Sequence, residues 1–390
     1  MKALSVSNGM KIGVDARVLL HDLYSGIGEY TMRLLCAMAE QGSQHEFHLW
    51  VNSFTAPSIA WRKDLPANCT LHITRFPNKI LTARQRFLNT PLCDWLVGGA
   101  DVWWSPHFLP SPVSCPKVLT VHDLSFLYYP EMFDMRRRFW HWLVAPHAQA
   151  QSADMLIAVS QSTADDIHTK WNIAPERMAT IYSGVGEEFQ PQHEEEKERV
   201  RGAYHLPARF ILSLGVREPR KNIAGLVRAY GHFRTLWKGE RIGLVLAGSG
   251  GWQEQETLQA IQQSPYAGDI HTIGFVSPHD KPALYAAAEC FVYPSFFEGF
   301  GFPPLEAMAC GTPVIVSHTS SLPEIVQDGG ILVDPMRLEE VAYAMHEVLS
   351  DASLRAELQK KGLEQAKKFS WSKTAQQTLH TLEQAMRSDR

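Results

Sequence analysis

The stretch CFVYPSFFEGFGFPPLEAMACG, residues Cys290–Gly311, decides the fold of the second half of this chain. It opens with a short apolar run, Cys290–Tyr293, which predicts a buried parallel strand. A loop with glycines follows. The next segment has proline near its start at Pro304, helix formers within it and Gly311 just past its end, which predicts a helix. This order of strand, loop and helix leaves backbone N–H groups unpaired at a helix N-terminus, where phosphate binds readily.

Two glutamates, Glu298 and Glu306, flank the loop and stand eight residues apart. Glu298 is predicted to lie in the loop and Glu306 one or two turns into the helix. Both would then face a ligand at the carboxyl end of the sheet, one near a sugar and the other near a ribose. The alternative is a pair of solvated acids, since most glutamates are exposed.

The run Glu298–Ser317 resembles the signature of the retaining nucleotide-sugar glycosyltransferases of the GT-B fold. The resemblance is greatest to the family 4-like bacterial mannosyl- and glucosyltransferases that build surface polysaccharides. Matching pieces run in the expected order from Gly26 to Pro335, and they include Val121–Leu124, Glu218–Asn222, Ser321–Glu324, Asp328–Gly330 and Val333–Pro335. The resemblance implies an α/β protein with two Rossmann-like, doubly wound domains that face a central cleft. In that family the C-terminal helix crosses back to the N-terminal domain.

Length and composition agree with a globular protein of two domains. A chain of 390 residues is long for one core, and 45% hydrophobic with 20% charged residues disfavours extended disorder. The net charge of −4 argues against a general binder of nucleic acid. Six cysteines without C-x-x-C spacing indicate reduced thiols in a cytosolic protein rather than a zinc site. The sequence has no secretory signal and no apolar run of the ~20 residues that cross a bilayer, so we expect a cytoplasmic or peripherally attached protein.

Alternating strand and helix patterns run through both halves, which predicts mostly parallel sheets. The expected strands are Lys11–Asp15, Glu46–Val51, Thr70–Ile73, Val102–Trp104, Val118–Val121, Met155–Val159, Met178–Ile181, Phe210–Gly215, Gly243–Gly248, Ile270–Ile273, Cys290–Tyr293, Val314–Val316 and Ile331–Val333. The acidic segment Glu187–Glu198 predicts a linker, or else a solvated helix start. We therefore expect an acceptor-side domain at 1–187, a nucleotide-sugar domain at 188–370 and a crossing helix at 371–390, with Phe369 and Trp371 as anchors.

A basic loop follows the first strand of the second half. A nucleotide-sugar donor carries a diphosphate with about two negative charges, which fixed cations in a dry site stabilise as the leaving group departs. By resemblance, Lys221 is the diphosphate lysine. Its companion is either Arg217 or Arg220, because the family often has the arginine where Val216 stands here. The alternative is a basic cluster that contacts only water. The chain has no Asp-x-Asp triplet, so we expect a metal-independent donor site without a cofactor.

The resemblance also gives roles to the residues around the phosphate. Glu298 would hold and orient the donor sugar, and covalent catalysis would need a second carboxyl nearby. Glu306 fits a bidentate hold on the ribose hydroxyls. The other expected donor contacts are the phosphate-cradling backbone of Phe300, Gly301 and Phe302, then Leu305, and near the base Val276 and Lys281. An exposed lysine at a helix start is the competing account of Lys281.

Candidate residues in the first half are His122 and a glycine pair. His122 ends a predicted strand, and the resemblance implies that it reaches across the cleft to a hydroxyl of the transferred sugar. A packing or capping histidine is the alternative. Gly26 and Gly28 allow the backbone to approach a phosphate or acceptor at the start of a helix, or form an ordinary tight turn.

Aromatic and basic residues cluster in three places of the first half. Arg136–Arg138 precedes Phe139–Val144, and a second amphipathic stretch runs over Lys79–Leu96. Each is either a contact with an anionic membrane surface or a core helix with basic edges. Trp103, Trp104 and His107 would either stack on acceptor sugars or lie in the core; these three follow or end a strand.

The expected activity is retaining transfer of a hexose to a saccharide acceptor. Resemblance favours mannose from GDP-mannose and a lipid-linked oligosaccharide at the cytoplasmic face of the inner membrane, with a UDP-sugar-dependent glucosyltransferase as the alternative. A dinucleotide-dependent oxidoreductase is a remote alternative, because Gly248–Gly251 follows a strand but Gln253 stands where the third glycine is required. A non-enzymatic carbohydrate-binding protein is the other, and it gives no reason for the basic loop and Glu306 to coexist.

Overall fold

A computed structural model describes residues 9–20, 26–55 and 59–387. The described chain divides into two compact units. One comprises the residues up to Gly184 together with those from Trp371 onward, and the other is Val185–Ser370. Every strand expected from the sequence is present, with ends that differ by at most one residue. Contiguous apolar runs bounded by turn residues are therefore a sufficient signal for the buried parallel strands of this protein.

The first unit has a parallel sheet of seven strands in its described part, with the order β3-β2-β1-β4-β5-β6-β7. The strands are β1 Lys11–Asp15, β2 Glu46–Asn52, β3 Cys69–Thr74, β4 Val102–Ser105, β5 Lys117–Val121, β6 Met155–Ala158 and β7 Met178–Thr180. The α-helices between them are α1 Gly26–Gln41, α2 Asn78–Leu88, α3 Cys93–Leu96, α4 Ser125–Tyr128, α5 Met135–Val144, α6 Pro146–Ser152 and α7 Gln161–Trp171. Strands β4 and β5 are wholly buried, as expected for a sheet covered on both faces.

The second unit has a parallel sheet with the order β10-β9-β8-β11-β12-β13. Its strands are β8 Phe210–Leu214, β9 Gly243–Ala247, β10 Ile270–Gly274, β11 Cys290–Tyr293, β12 Val314–Ser317 and β13 Gly330–Val333. Its helices are α8 Glu194–Ala203, α9 Ile223–Leu236, α10 Gln255–Gln263, α11 Lys281–Ala287, α12 Phe302–Ala309, α13 Leu322–Val326, α14 Leu338–Ser350 and α15 Ala352–Ala366. The strand order reverses between β8 and β11, and ligands of open α/β sheets bind beyond the carboxyl ends of the strands at such a point.

The last helix, α16 (Trp371–Arg387), belongs to the first unit although it follows the second in sequence. It packs on α1, β4, β5 and β6, and the Thr374 hydroxyl donates a hydrogen bond of 2.7 Å to the Tyr182 carbonyl. The expected return to the N-terminal domain is confirmed. Of the two expected anchors, Trp371 packs against Tyr30 in the first unit, whereas Phe369 packs against Phe300 in the second.

The acidic segment Glu187–Glu198 is not a linker along its whole length. Helix α8 begins at Glu194, and this glutamate pairs with Lys197 at 3.3 Å and with Arg201 at 2.9 Å on the surface. The solvated helix start is therefore correct for the second part of the segment. No helix of the described residues is both long and apolar enough to span a bilayer.

Candidate functional site

The site lies at the carboxyl edge of the second sheet, where the neighbouring strands β8 and β11 end. The loop after β8 makes one turn of 3-10 helix, Pro219–Lys221, and the loop after β11 carries Glu298. The two loops are joined directly, because the Phe296 N–H donates to the Arg220 carbonyl at 2.8 Å. Residues almost eighty positions apart are thus brought to one place.

Glu298 is buried between two cations. Its Oε1 lies 2.7 Å from Lys221 Nζ, and its Oε2 lies 3.0 Å from an Arg220 guanidinium nitrogen. The Ser295 hydroxyl donates to the same carboxylate, and Lys221 also donates to the Tyr293 hydroxyl. Glu218 pairs with Arg220 at 2.7 Å, so these two cations and two carboxylates balance in formal charge.

The charges of this cluster depend on one another. Burial favours the neutral form of Glu298, but Arg220 and Lys221 outweigh it and lower the pKa of the carboxyl to about 2. Burial lowers the pKa of Lys221, and the negative charge of Glu298 opposes that change. A carboxylate that stays ionised at every physiological pH is thus held between two cations in a dry site.

Arg217 lies apart from this cluster. Its guanidinium donates to the Gly248 carbonyl at 2.6 Å and pairs with Glu254 at 3.2 Å. Its backbone N–H bonds to the Ser249 carbonyl, so the loop after β9 holds this residue. Of the two arginines left open by the sequence, Arg220 is the one that the structure brings together with Lys221.

The loop before α12 is held by hydroxyl groups that sequence reasoning missed. The Ser321 Oγ is fully buried and donates to the carbonyls of Glu298 and Phe300, at 2.9 and 2.8 Å. The Ser320 hydroxyl accepts the Glu298 N–H at 2.8 Å. Gly301, at φ +113°, starts the helix in a conformation that L side chains avoid, and a Cβ there would come within 2.9 Å of Leu322. The segment Ser321–Glu324 matched the family motif, which was the available signal.

Glu306 and Lys281 meet beside the same loop. Glu306 is buried in α12, accepts a hydrogen bond of 2.7 Å from the Tyr285 hydroxyl, and has its Oε1 3.8 Å from Lys281 Nζ. The alternative of a solvated acid is wrong for Glu306, as it is for Glu298. No motif in the sequence indicated Tyr285, because the position of its hydroxyl depends on where α11 lies in the fold.

The remaining expected donor residues differ in exposure. Val276 and Leu305 are buried, whereas Phe302 at the start of α12 is partly exposed. The Phe300 ring lies 5.1 Å from the Phe302 ring and supports it from the core side. Gly301 is the residue before this helix, and Phe302 is its first residue.

In the first unit, His122 follows β5 at the carboxyl edge of that sheet. Its Nε2 lies 2.8 Å from the Pro106 carbonyl and therefore carries the hydrogen of the neutral ring. Burial lowers the pKa of His122, and the ring makes an edge contact with Tyr30 at 4.8 Å. Asp123 accepts from the Ser125 N–H and hydroxyl, so it caps the next turn.

Gly26 and Gly28 lie in the first turn of α1. Among the described residues, a Cβ at Gly26 would meet nothing within 4 Å, whereas Gly28 is buried.

The tryptophans of β4 are core residues rather than acceptor platforms. Trp103 and Trp104 are fully buried, and the Trp104 indole donates to the Thr120 hydroxyl at 3.0 Å. His107 is buried as well, stacks on Trp140, and has its pKa lowered to about 3 by burial. Stacking of acceptor sugars on Trp103 or Trp104 is therefore wrong.

The basic aromatic helices, in contrast, expose large apolar side chains, although α2 buries Leu81 and α5 buries Val144. On α5 the side chains of Phe139 and Trp142 are 61% and 65% exposed, and on α2 those of Phe87 and Leu88 are 60% and 66% exposed. The core-helix alternative fails for these faces. Elsewhere, no group of three or more histidine, cysteine or acidic side chains that could hold a metal occurs in the part of the chain that the structure describes.

Comparison with known proteins identifies the class. The family described as Glycosyltransferase Family 4 matches residues 24–189, and Glycosyl transferases group 1 matches residues 194–365. The solved sucrose-phosphate synthase of Thermosynechococcus elongatus has the same fold, with a TM-score of 0.74, 20% identity, and coverage of 97% of this chain and all of that one. WaaG, a glycosyltransferase involved in lipopolysaccharide biosynthesis, has a TM-score of 0.69, with 16% identity over 95% of this chain and 99% of its own. The two sheets and their helices are those of a GT-B glycosyltransferase.

Sequence relatives define the family more closely. The O-antigen chain mannosyltransferase B of Escherichia coli is 32% identical over 365 residues, which are 91% of this chain and 95% of that protein. The serotype-specific mannosyltransferase WbdA of Escherichia coli is 35% identical over 262 residues, 66% of this chain but only 32% of that longer protein. The chain belongs to the family 4-like GT-B glycosyltransferases, as the motif Glu298–Ser317 predicted.

Proposed function

We propose that this protein is a retaining mannosyltransferase that transfers mannose from GDP-mannose to a lipid-linked saccharide in the synthesis of a surface polysaccharide. The choice of mannose draws on the names of two relatives, an O-antigen chain mannosyltransferase and a serotype-specific mannosyltransferase. The observation that carries the proposal is the buried cluster of Lys221, Arg220 and Glu298 at the carboxyl edge of β8 and β11.

Lys221 and Arg220 would receive the diphosphate. Both cations point to one carboxylate in a site from which water is largely excluded, where a fixed positive charge stabilises a developing negative one most strongly. When Lys221 and Arg220 turn to the phosphate oxygens, their positive charges balance the negative charge of the departing nucleoside diphosphate. The backbone of Phe300, Gly301 and Phe302, at the start of α12, would cradle the phosphate from the same side.

Glu298 would then bind the sugar rather than attack it. With the cations engaged by phosphate, its oxygens are available to hydroxyls of the hexose, while Ser295 keeps the carboxylate oriented. Departure and attack on the same face of the ring give retention without a covalent intermediate.

Glu306 and Lys281 would hold the nucleoside. The Tyr285 hydroxyl fixes one carboxylate oxygen of Glu306, and a carboxylate oxygen keeps further lone pairs for the ribose hydroxyls. Lys281 lies beside the other oxygen and is within reach of a base edge presented by the backbone around Val276. Because no step needs a Lewis acid to neutralise phosphate, we further propose that transfer is metal-independent and uses no cofactor.

The first unit would contribute the acceptor side. A neutral His122, with its Nε2 hydrogen committed to Pro106, would interact with a sugar hydroxyl through its other ring nitrogen. The first turn of α1, at Gly26 and Gly28, would approach an acceptor or phosphate. The exposed aromatic residues of α2 and α5 support peripheral contact with the cytoplasmic face of a membrane, where a lipid-linked acceptor is found.

A donor screen tests the proposal. The protein is incubated with a panel of sugar nucleotides and acceptor intermediates, and nucleotide release is measured; calorimetry with GDP, UDP and NADH runs beside it. GDP-mannose turnover and GDP binding are expected. A preference for UDP and a UDP-hexose would replace mannose with the glucosyltransferase alternative. Binding of NADH alone, or of no nucleotide, would reject the glycosyltransferase reading of this cluster.

A further inference from the structure

A polar cavity of about 330 Å³ opens in the first unit. Its wall includes Arg86 at the end of α2, Lys117 at the start of β5, Gln149 on α6, and Asp154 just before β6. Lys117 and Asp154 are at the amino edge of the sheet. His122 follows the opposite end of β5, about 16 Å away at a rise of ~3.3 Å per residue. We call this cavity the amino-edge pocket.

Lys117 places a buried ammonium in the wall of the amino-edge pocket. Its Nζ donates to the Ser111 carbonyl at 3.2 Å and to Gln149 Oε1 at 3.0 Å, both neutral acceptors. No carboxylate of the described residues forms an ion pair with this ammonium. Asp154 Oδ2 accepts the Lys117 backbone N–H at 2.7 Å, so this acid is directed at the main chain. Burial lowers the pKa of Lys117 to about 8, which leaves it mostly charged at neutral pH.

Arg86 adds a second cation to the same wall. Its Nε is buried and has no hydrogen-bond partner among residues 9–20, 26–55 and 59–387. A buried donor without an acceptor is unfavourable, so native proteins rarely keep one unless a ligand or ion supplies the acceptor. A guanidinium matches phosphate geometry particularly well, because its parallel N–H groups bind two oxygens at once.

Large apolar side chains stand exposed around the helices that line the pocket. Arg86 is followed on α2 by Phe87, whose ring centroid lies 5.4 Å from the guanidinium carbon. Helix α5, which contacts α2, exposes Trp142 two residues before the pocket-lining Val144. Trp95, on the short helix after α2, is 69% exposed. Exposed aromatic residues beside cations are typical of proteins that lie in the interfacial layer of an anionic membrane.

We propose that the amino-edge pocket binds the phosphate group of an anionic membrane lipid, with Arg86 and Lys117 on the phosphate oxygens and the exposed aromatic residues in the interface. Asp154 lowers the net charge of the wall to one positive charge, which suits a phosphodiester better than a dianion. This inference deepens the membrane contact proposed above. It does not depend on the transfer reaction, because lipid binding is measured without donor or turnover, and each can therefore fail independently.

The test compares two arginines of the same helix. Arg86 lines the pocket, whereas Arg84 is exposed on α2 and does not. The full chain is sedimented with phosphatidylcholine vesicles, with and without phosphatidylglycerol, and glycerol phosphate binding is followed by calorimetry. Wild type should bind only the anionic vesicles. Arg86→Gln should weaken that binding at least about tenfold and abolish glycerol phosphate binding, while Arg84→Gln should cost at most about fivefold on vesicles, as one surface charge does, and leave glycerol phosphate binding unchanged.

A second variant keeps the test valid if Arg86→Gln fails to fold. Ala148 is exposed at the wall of the pocket, so Ala148→Trp fills it while both cations remain. It should lose vesicle and glycerol phosphate binding as Arg86→Gln does. Trp142→Ser should weaken vesicle binding only. Equal losses in the Arg84 and Arg86 variants would overturn the pocket in favour of diffuse charge. Glycerol phosphate binding without vesicle binding by the wild type would overturn the lipid as its source.

Discussion

Replacing Glu298 with glutamine should tighten nucleotide binding while it destroys turnover. The substitution keeps the shape of the side chain and the contact with Ser295, but it removes the negative charge between Lys221 and Arg220. In the ligand-free protein this leaves two cations facing one remaining carboxylate, Glu218. A nucleoside diphosphate then binds to a site that no longer has to give up an internal ion pair.

The pKa of Glu298 sets the magnitude. Its fall from 4.5 to about 2 is a shift of two to three units, which at ~1.36 kcal/mol per unit amounts to about 3 kcal/mol for the ionised form in the folded protein. The folded pKa lies below the unfolded one, so this stabilisation is fully present above pH 4.5 and is lost as the pH falls towards 2. The unfolding free energy of Glu298→Gln should therefore be about 3 kcal/mol lower at pH 7, and the difference should shrink below pH 4.5.

Calorimetric titration with GDP measures how much of this free energy is recovered when the nucleotide binds. Recovery of even half of the 3 kcal/mol on binding makes the affinity of Glu298→Gln about tenfold higher, and full recovery makes it about a hundredfold higher. Turnover should fall by at least about a hundredfold, because the hexose loses its carboxylate. Glu240→Gln makes the same change of charge at an exposed acid of the second unit and should match wild type. Unchanged or weaker GDP binding by Glu298→Gln would refute the reasoning.

Three further outcomes are expected. Lys221→Ala should weaken GDP binding by roughly 1.5–3 kcal/mol, the worth of a charge-assisted hydrogen bond, and abolish nucleotide release; wild-type turnover would remove its role. Activity should survive excess chelator in full, and a strict need for added manganese would contradict metal-independence. Ser321→Ala leaves the carbonyls of Glu298 and Phe300 without their buried donor, so thermal unfolding should show a loss of about 1–3 kcal/mol, against little change for Ser350→Ala on the exposed face of α14; equal melting of the two variants would mean that Ser321 does not hold the loop.

Local sequence was enough for the elements of the fold. Strands such as Phe210–Leu214 and Cys290–Tyr293 are buried on both faces. Each is therefore a continuous apolar run in the sequence that ends at turn residues. The family motif likewise predicted that Glu298, Glu306 and Lys221 come after the carboxyl ends of their strands. Both kinds of signal are short-range, and they do not depend on which strands become neighbours.

Contacts between distant segments were beyond local reasoning. Arg217 and Arg220 both follow β8, and only the loop after β9, through Gly248 and Glu254, decides that Arg217 is held elsewhere. Trp103 and Trp104 look like a binding platform in the sequence and are core residues because neighbouring strands cover them. The amino-edge pocket joins three segments that have no motif in common.

By itself, then, the sequence determined two α/β halves, the position of each strand and the residues at the strand ends. Burial and turn formation could be predicted because both depend on short stretches of consecutive residues. Only the tertiary structure decided which charges meet. The sheet order sets β8 beside β11, and this adjacency alone puts Lys221 and Arg220 on the two oxygens of Glu298. Charge pairing acts over a few ångströms, so it follows from the packing of distant segments and not from their order along the chain.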